Sequence, residues 1–139
     1  MRFLNRFQPF ALLVLRLALG SIMIAHGWPK VFQGGIGRTV MTMTSWGWPW
    51  WLGYVAGYTE LVGGALLIPG VLVRLWGLAF AFEMIVVIWK IHWARGFTGP
   101  GAAEFPLACA AIAFALIFFG GGLLSVDHLI WGRGHKSGR

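Results

Sequence analysis

The chain contains 139 residues, of which 58% are hydrophobic and only 11% are charged. Soluble domains carry about 25% charged residues, so this composition argues against a soluble globule and indicates a single domain in contact with lipid. The net charge is +7, but there is no basic block typical of nucleic-acid binding, so we expect lipid headgroups, and no nucleic acid, as the counter-charge.

Four apolar segments follow one another along the chain, and each approaches the ~20 residues that a helix needs to cross a bilayer. They lie at about 10–27, 50–73, 75–93 and 104–124. The sequence therefore predicts an all-α, integral membrane four-helix bundle. After the fourth segment, Ser125 or Asp127 is placed to cap a short interfacial helix, and the basic tail at 132–139 is predicted to be disordered.

An even number of crossings puts both termini on the same side of the membrane. That side would carry six basic residues, Arg2, Arg6, Arg74, Arg133, Lys136 and Arg139, and the other side four, Lys30, Arg38, Lys90 and Arg95. This bias predicts cytoplasmic termini in a multi-pass protein. Seven of the nine tryptophans then fall at or beyond the outer ends of the helices: Trp28, Trp46, Trp48, Trp50, Trp51, Trp89 and Trp93.

Three charged residues lie deep within the predicted membrane-spanning segments, away from the segment ends, namely Arg16, Glu60 and Glu83. A charge inside the bilayer is costly unless it is paired or hydrated, so we expect the three side chains to face one another. Two interpretations remain open. The cluster is either an ionic lock that holds the bundle together or a site whose surplus carboxylate carries a proton.

A second polar group gathers at the outer helix ends, where we predict a pocket formed by His26, Lys30, His92 and Glu104. The tryptophans expected to wall it are Trp28, Trp89 and Trp93. His and Glu are metal-ligand types, but their spacing is not diagnostic, and two histidines can also ligate haem. Two further interpretations are interfacial histidines that face headgroups and a pocket for quinone or another aromatic small molecule. We expect no metal and no intrinsic cofactor, with quinone as the candidate ligand.

Small residues and the single cysteine complete the pattern. Gly53 and Gly57 form a GxxxG motif, and with Gly64 they predict close packing of the second helix within the bundle. One cysteine, Cys109, excludes an internal disulfide and a dithiol pair within the chain. We interpret Cys109 as inert packing.

Several segments together resemble the DoxX family of small bacterial membrane proteins. They are Arg-Leu-Ala-Leu-Gly at 16–20, His-Gly-Trp-Pro-Lys-Val-Phe at 26–32, Glu-Leu-Val-Gly-Gly at 60–64, Pro-Gly-Val-Leu-Val-Arg at 69–74, Glu-Phe-Pro-Leu at 104–107 and Gly-Gly-Gly-Leu-Leu-Ser-Val-Asp at 120–127. The resemblance implies a four-helix bundle in the bacterial inner membrane and a place in membrane-linked redox chemistry. Relatives are known as the membrane subunit of a thiosulfate:quinone oxidoreductase and as a partner of detoxifying enzymes.

The leading hypothesis for function is a membrane subunit of a redox system that anchors a partner oxidoreductase and offers a pocket for quinone or a related lipophilic substrate. The chain itself is then at most a co-catalytic subunit of a quinone-linked oxidoreductase. One alternative is an accessory or assembly subunit packed on a larger membrane complex. Another is a small proton or solute transporter that uses Arg16, Glu60 and Glu83.

Overall fold

The computed structural model describes residues 3–132, which form helices and no β-strand, so the predicted all-α class is confirmed for them. A 3-10 turn at Leu4–Phe7 leads into α1, and six helices follow the chain order. They are α1 Gln8–Phe32, α2 Ile36–Ser45, α3 51–67, α4 Val73–Arg95, α5 Glu104–Phe119 and α6 Val126–Trp131. The prediction of a disordered basic tail falls mostly on residues 133–139, outside the described part.

Three predicted helix ends differ from the structure. Helix α1 does not end at Gly27 but continues through Pro29, which forfeits one backbone hydrogen bond without breaking the helix. Helix α3 ends at Leu67 instead of 73, because Gly70 adopts a positive φ of 84° and closes the helix. Helix α5 ends at Phe119 instead of 124 for the same reason at Gly120, where φ is 69°.

Helix α2 was not predicted, because it lies between the first two predicted membrane-spanning segments, where no helix was expected. The helix folds back on α3, and the two meet at the GxxxG motif. A side chain at Gly53 would collide with the backbone of Val40, and one at Gly57 with Ile36. The close packing predicted for the motif therefore serves a contact within the chain.

Two helical stretches among the described residues, Leu4–Phe32 and Val73–Arg95, are long and apolar enough to cross a bilayer. Helix α5 is apolar but has only 16 residues, and α3 at 51–67 extends for about 25 Å. Large apolar side chains are exposed along all four of these helices, as expected of a surface that faces lipid. The four-span topology stays a prediction.

Glycines and buried apolar side chains bring the long helices together. Gly20 of α1 lies against the backbone of Gly64, and Gly27 against the backbone of Leu61, so α1 and α3 pack backbone to backbone. Helix α4 packs on α5, and the core between the helices consists of fully or almost fully buried residues: Leu19, Met23, Leu67, Val73, Phe80, Ala81, Met84, Cys109, Ala113 and Leu116.

Arg16 is fully buried at one end of the bundle. Its Nη2 donates a hydrogen bond to the carbonyl oxygen of Leu124, and its guanidinium lies against Gly70. The opposite charge that acts on it is that of Asp127. Arg16 thus ties the first helix to the α3–α4 turn and to the segment that leads into α6.

Asp127 joins the same end of the bundle through two backbone hydrogen bonds. Its Oδ1 accepts from the amide of Leu72 at 2.7 Å, and its Oδ2 accepts from the amide of Val73 at 2.8 Å. The carboxylate therefore caps the positive N-terminus of α4 from another element. The predicted capping of α6 by Ser125 is confirmed, since its hydroxyl accepts from the amide of His128 at 3.2 Å.

We predict that Gly70→Ala destabilises the protein far more than Gly47→Ala. Both glycines end a helix with the same pair of backbone hydrogen bonds and a positive φ, so each substitution costs about 1–2 kcal/mol for the left-handed backbone. A new methyl group meets open space at position 47 but would overlap Nη1 of Arg16 at position 70. Gly70→Ala should therefore cost a further ~1–3 kcal/mol.

The measurement is thermal unfolding of both variants in the same detergent. Equal losses of stability would contradict the structural role assigned to the buried Arg16.

Candidate ligand site at the Lys30–Glu60 ion pair

An ion pair joins α1 to α3 at the other end of the bundle. The Nζ of Lys30 lies 2.5 Å from Oε2 of Glu60, and it is the one salt bridge found among residues 3–132. The Glu60 side chain is 5% exposed and that of Lys30 is 27% exposed. The pair is therefore largely removed from water on the glutamate side and accessible on the lysine side.

Each of the two neighbouring helices, α3 and α4, contains a π-helical turn close to this ion pair. The turn Thr59–Gly63 carries Glu60, and the turn Ile88–His92 carries Lys90 and His92. A π turn inserts one residue into a helix, rotates the following side chains and is frequent at functional sites. Both widened turns lie around the Lys30–Glu60 pair.

Glu83 of α4 lies close enough to Lys30 and Glu60 for their charges to act on it. Its Oε2 is buried and has no hydrogen-bond partner among the described residues, and its carboxyl group lies within hydrogen-bonding reach of the Glu60 carboxyl group. Two carboxylates thus share one ammonium group. This arrangement leaves a surplus acid beside an otherwise apolar surface.

A cavity of about 410 Å³ lies on one side of the ion pair, between α2, α3 and α4. Its walls are mainly apolar and include two indole rings, so we call it the tryptophan cavity. The lining residues that bear on ligand binding are Lys30, Glu60, Glu83, Trp46, Trp48 and Phe82. Phe82 is 67% exposed, which indicates that the cavity reaches the outer surface of the bundle beside α4.

A second cavity of about 400 Å³ lies on the other side of the same pair, and we call it the histidine cavity. Its polar lining residues are His26, Lys30, Glu60, His92 and Glu104. The Nδ1 of His92 contacts the carbonyl oxygen of Gly101, and Oε1 of Glu104 accepts from the amide of Gly99 at 3.3 Å. These contacts fold the 96–103 loop over the cavity.

The four polar residues predicted for an outer pocket, His26, Lys30, His92 and Glu104, thus line one cavity. The three predicted tryptophans do not. Trp28, Trp89 and Trp93 line neither cavity and are 49%, 63% and 76% exposed. The aromatic wall is instead supplied by Trp46 and Trp48, on the segment that connects α2 to α3.

The predicted contact of Arg16 with Glu60 or Glu83 is wrong. Arg16 and Lys30 are fourteen residues apart on α1, which is about 21 Å along a helix, and Glu60 pairs with Lys30. Arg16 lies instead at the opposite end, where its Nη2 donates to the carbonyl oxygen of Leu124 and the charge of Asp127 acts on it. Glu60 and Glu83 do lie together, with Lys30 in the place predicted for Arg16.

The sequence contains part of the information needed to predict the pairing of Lys30 and the presence of α2. The first helix was predicted to end at residue 27, before Pro29, so the prediction did not place Lys30 at the same depth as Glu60. Helix α2 places apolar residues at Ile36, Val40 and Met43, a helical spacing that predicts a packed face. Lys90 also lies 4.2 Å from the ring centre of Trp89, close to the cavity wall but not in its lining.

Neither cavity shows a convincing metal centre. Within residues 3–132, no three His, Cys, Asp or Glu side chains converge as ligands. What the arrangement offers chemically is an ammonium donor, two carboxylates and indole faces at an apolar boundary, with imidazoles and Glu104 across the ion pair.

We predict that Lys30→Met destabilises the protein more than the double variant Lys30→Met/Glu60→Gln. Removing the lysine alone leaves two buried carboxylates without a cation, which should cost about 3–5 kcal/mol, whereas neutralising Glu60 as well removes much of that penalty. Lys90→Met is the control, because Lys90 has aromatic neighbours and no acidic partner among residues 3–132, and it should cost at most about 1 kcal/mol.

Thermal unfolding of the three variants is the measurement. A double variant less stable than Lys30→Met would show that the pair does not carry the stability assigned to it.

Comparison with known proteins gives three findings. A family model described as DoxX matches residues 11–93. A Bacillus subtilis protein named "Putative oxidoreductase CatD" is 32% identical over 135 residues, which cover 97% of this chain and 97% of the relative. A Haemophilus influenzae protein named "Uncharacterized protein" is 30% identical over 133 residues, which cover 90% and 94%.

No solved structure matches the chain. The family and the name of the Bacillus relative indicate a membrane-associated protein linked to redox chemistry. Since the family model covers more than half of the sequence and both relatives match nearly all of it, the chain belongs to the DoxX family.

Proposed function

We propose that this protein is a four-span membrane subunit of a redox system that binds a quinone or a related lipophilic ring compound in the tryptophan cavity and anchors a partner oxidoreductase. The observation that carries the proposal is the Lys30–Glu60 pair, which lies between the tryptophan cavity and the histidine cavity. The redox name of the Bacillus relative supports the choice of ligand class.

The tryptophan cavity has the composition that such a ligand requires. Ligand pockets are mostly apolar with a few well-placed polar groups. Trp46 and Trp48 offer ring faces for stacking, and Lys30 offers an ammonium donor for a ring oxygen. The exposure of Phe82 at the cavity wall supports entry from the bilayer.

The histidine cavity supplies a polar route on the far side of the pair. His26, His92 and Glu104 can each accept and release protons. A lipophilic ring compound that changes its redox state exchanges protons as well as electrons. In this proposal the ring occupies one cavity, and protons exchange with water through the other.

The first test is quenching of tryptophan fluorescence by duroquinone, a quinone without a lipid tail, in protein-loaded nanodiscs. The native chain should show saturable quenching, and a Trp46→Phe/Trp48→Phe variant should lose most of it because those rings lie in the cavity wall. The matched control is Trp50→Phe/Trp51→Phe, which also removes two tryptophans but leaves the cavity lining intact.

Lys30→Met should weaken duroquinone binding about tenfold or more, the loss expected for a hydrogen bond from a charged donor. The measurement is the midpoint of the same quenching titration. The quinone site would be rejected if quenching does not saturate in the native chain. It would also be rejected if both double tryptophan variants are quenched equally.

A partner surface is the second part of the proposal. Trp50, Trp93 and Phe97 are each more than 60% exposed and lie at the same end of the bundle as the ligand site. Aromatic residues are enriched at protein interfaces, so this surface also fits an accessory subunit packed on a larger complex. We expect a soluble or membrane oxidoreductase to co-purify with the native chain and to be lost from the Trp50→Ser/Trp93→Ser variant. The control variant Phe3→Ser/Phe7→Ser, at the other end of the bundle, should keep the partner.

The proposed topology places both termini in the cytoplasm of a bacterium. We expect alkaline phosphatase to be active when fused within the 96–100 loop and inactive when fused after Gly132, because the bias of basic residues favours that orientation. Activity at the second fusion alone would reverse the orientation, and activity at both or neither would reject the four-span arrangement.

A further inference from the structure

We propose that a cavity at the Arg16 end of the bundle binds an anionic phospholipid, with its phosphate on Arg74 and its acyl chains along the apolar part of the wall. The ligand is a structural lipid of the surrounding bilayer and takes no part in redox chemistry. The inference rests on the membrane association of the family and does not depend on the quinone site at the other end.

This cavity, which we call the arginine cavity, has a volume of about 730 Å³. It lies between the first turns of α1, the start of α4, the end of α5 and the short helix α6. Its lining combines the basic side chains of Arg74 and His128 with the apolar side chains of Leu12, Leu75, Phe119 and Leu123. A phospholipid matches both parts of this wall, whereas a soluble phosphate compound would use only the polar part.

Arg74 supplies the cation of the site. It is exposed and forms no salt bridge with any of residues 3–132. Its side chain lies over Gly120 at the end of α5, where a methyl group on the glycine would be 3.3 Å from Nε of Arg74. The guanidinium therefore keeps its forked N–H groups for a ligand, and this fork matches the oxygens of a phosphate.

The distribution of acidic residues excludes a competing partner for the phosphate site. The sequence contains four acidic residues, and Glu60, Glu83 and Glu104 line the two cavities at the other end. The fourth, Asp127, lines the arginine cavity, but both of its oxygens already accept backbone hydrogen bonds from the start of α4. No free carboxylate is left here to bind the ammonium group of a zwitterionic lipid.

Arg16 adds positive charge from behind the cavity wall. Its Nη1 lies beside Gly70, close to the β-carbon of Ser125, and Ser125 lines the cavity. Its Nε and Nη1 have no hydrogen-bond partner among the described residues. A charge removed from water acts strongly on groups a few ångströms away. We therefore expect Arg16 to attract the phosphate and to repel an ammonium head group.

The apolar part of the wall opens towards the bilayer. Leu75, Phe119 and Leu123 are each more than half exposed, and so is Trp131, which also lines the cavity. Tryptophan is enriched at the level of the lipid headgroups. In the orientation proposed above, this end lies in the cytoplasmic leaflet, which carries the anionic lipids. A lipid with its phosphate at Arg74 would thus direct its chains into the hydrocarbon.

The experiment is native mass spectrometry of the delipidated full chain in detergent. It is titrated with phosphatidylglycerol, phosphatidylethanolamine and diacylglycerol that carry identical acyl chains, and the dissociation constant of the first bound lipid is measured. Phosphatidylglycerol should bind at least about fivefold more tightly than the other two, the ratio expected for one arginine at a membrane surface. The soluble probe sn-glycerol 3-phosphate should not displace it at a roughly hundredfold excess, because it has no chain to bury.

Variants assign the preference to Arg74. Arg74→Gln should weaken binding of the first phosphatidylglycerol about five- to tenfold and leave diacylglycerol unchanged, since only the contact with the phosphate is lost. Arg74→Lys keeps the charge but not the fork, so its loss should be smaller. The matched control is Arg95→Gln, the same change at an exposed arginine at the other end that does not line this cavity. It should change the affinity by less than about twofold.

Three results would overturn the proposal. Equal binding of phosphatidylglycerol and phosphatidylethanolamine to the native chain would reject an anionic site. Equal losses in Arg74→Gln and Arg95→Gln would show that the preference reflects total charge and not this cavity. Displacement of the lipid by sn-glycerol 3-phosphate would assign the cavity to soluble phosphate compounds. Should Arg74→Gln fail to fold, the comparison of Arg74→Lys with Arg95→Lys still tests the location. None of these results bears on the duroquinone titration.

Discussion

The ion pair between Lys30 and Glu60 is the interaction on which the arrangement of the site depends. A charge pair this buried requires a fixed and short distance between its helices. That distance is set close by, where Gly27, three residues before Lys30, lets α1 lie against the backbone of Leu61, the residue after Glu60. Any side chain at Gly27 would push the helices apart, separate the pair and merge the two cavities that it divides.

Arg16 and Lys30 serve different purposes because the acids near them are differently occupied. Near Arg16, both oxygens of Asp127 already accept backbone hydrogen bonds from the start of α4. No acid is left over there, and the cluster closes a turn. Near Lys30 the second acid, Glu83, has a buried Oε2 without a hydrogen-bond partner among the described residues. The surplus makes that end suited to a ligand and the Arg16 end suited to stability.

Much of this could be predicted from the sequence, because the relevant signals are local. The apolar segments, the cap at Ser125 and the gathering of His26, His92 and Glu104 at one level follow from helix length and side-chain type. The pairing could not be predicted. It depends on α1 continuing past Pro29 and on a π turn that rotates Glu60, and both are permitted by tertiary contacts that propensity does not encode.

The cavities differ in how they meet their surroundings, and this difference gives the proposed function its direction. The tryptophan cavity reaches the side of the bundle at Phe82, where a membrane-spanning protein faces acyl chains. The histidine cavity lies beneath the 96–103 loop, where such a protein faces water. In the proposed function, a lipid-soluble ligand and protons from water would therefore approach the Lys30–Glu60 pair from opposite sides. The pair with Glu83 is the one place in the described bundle where the two routes meet.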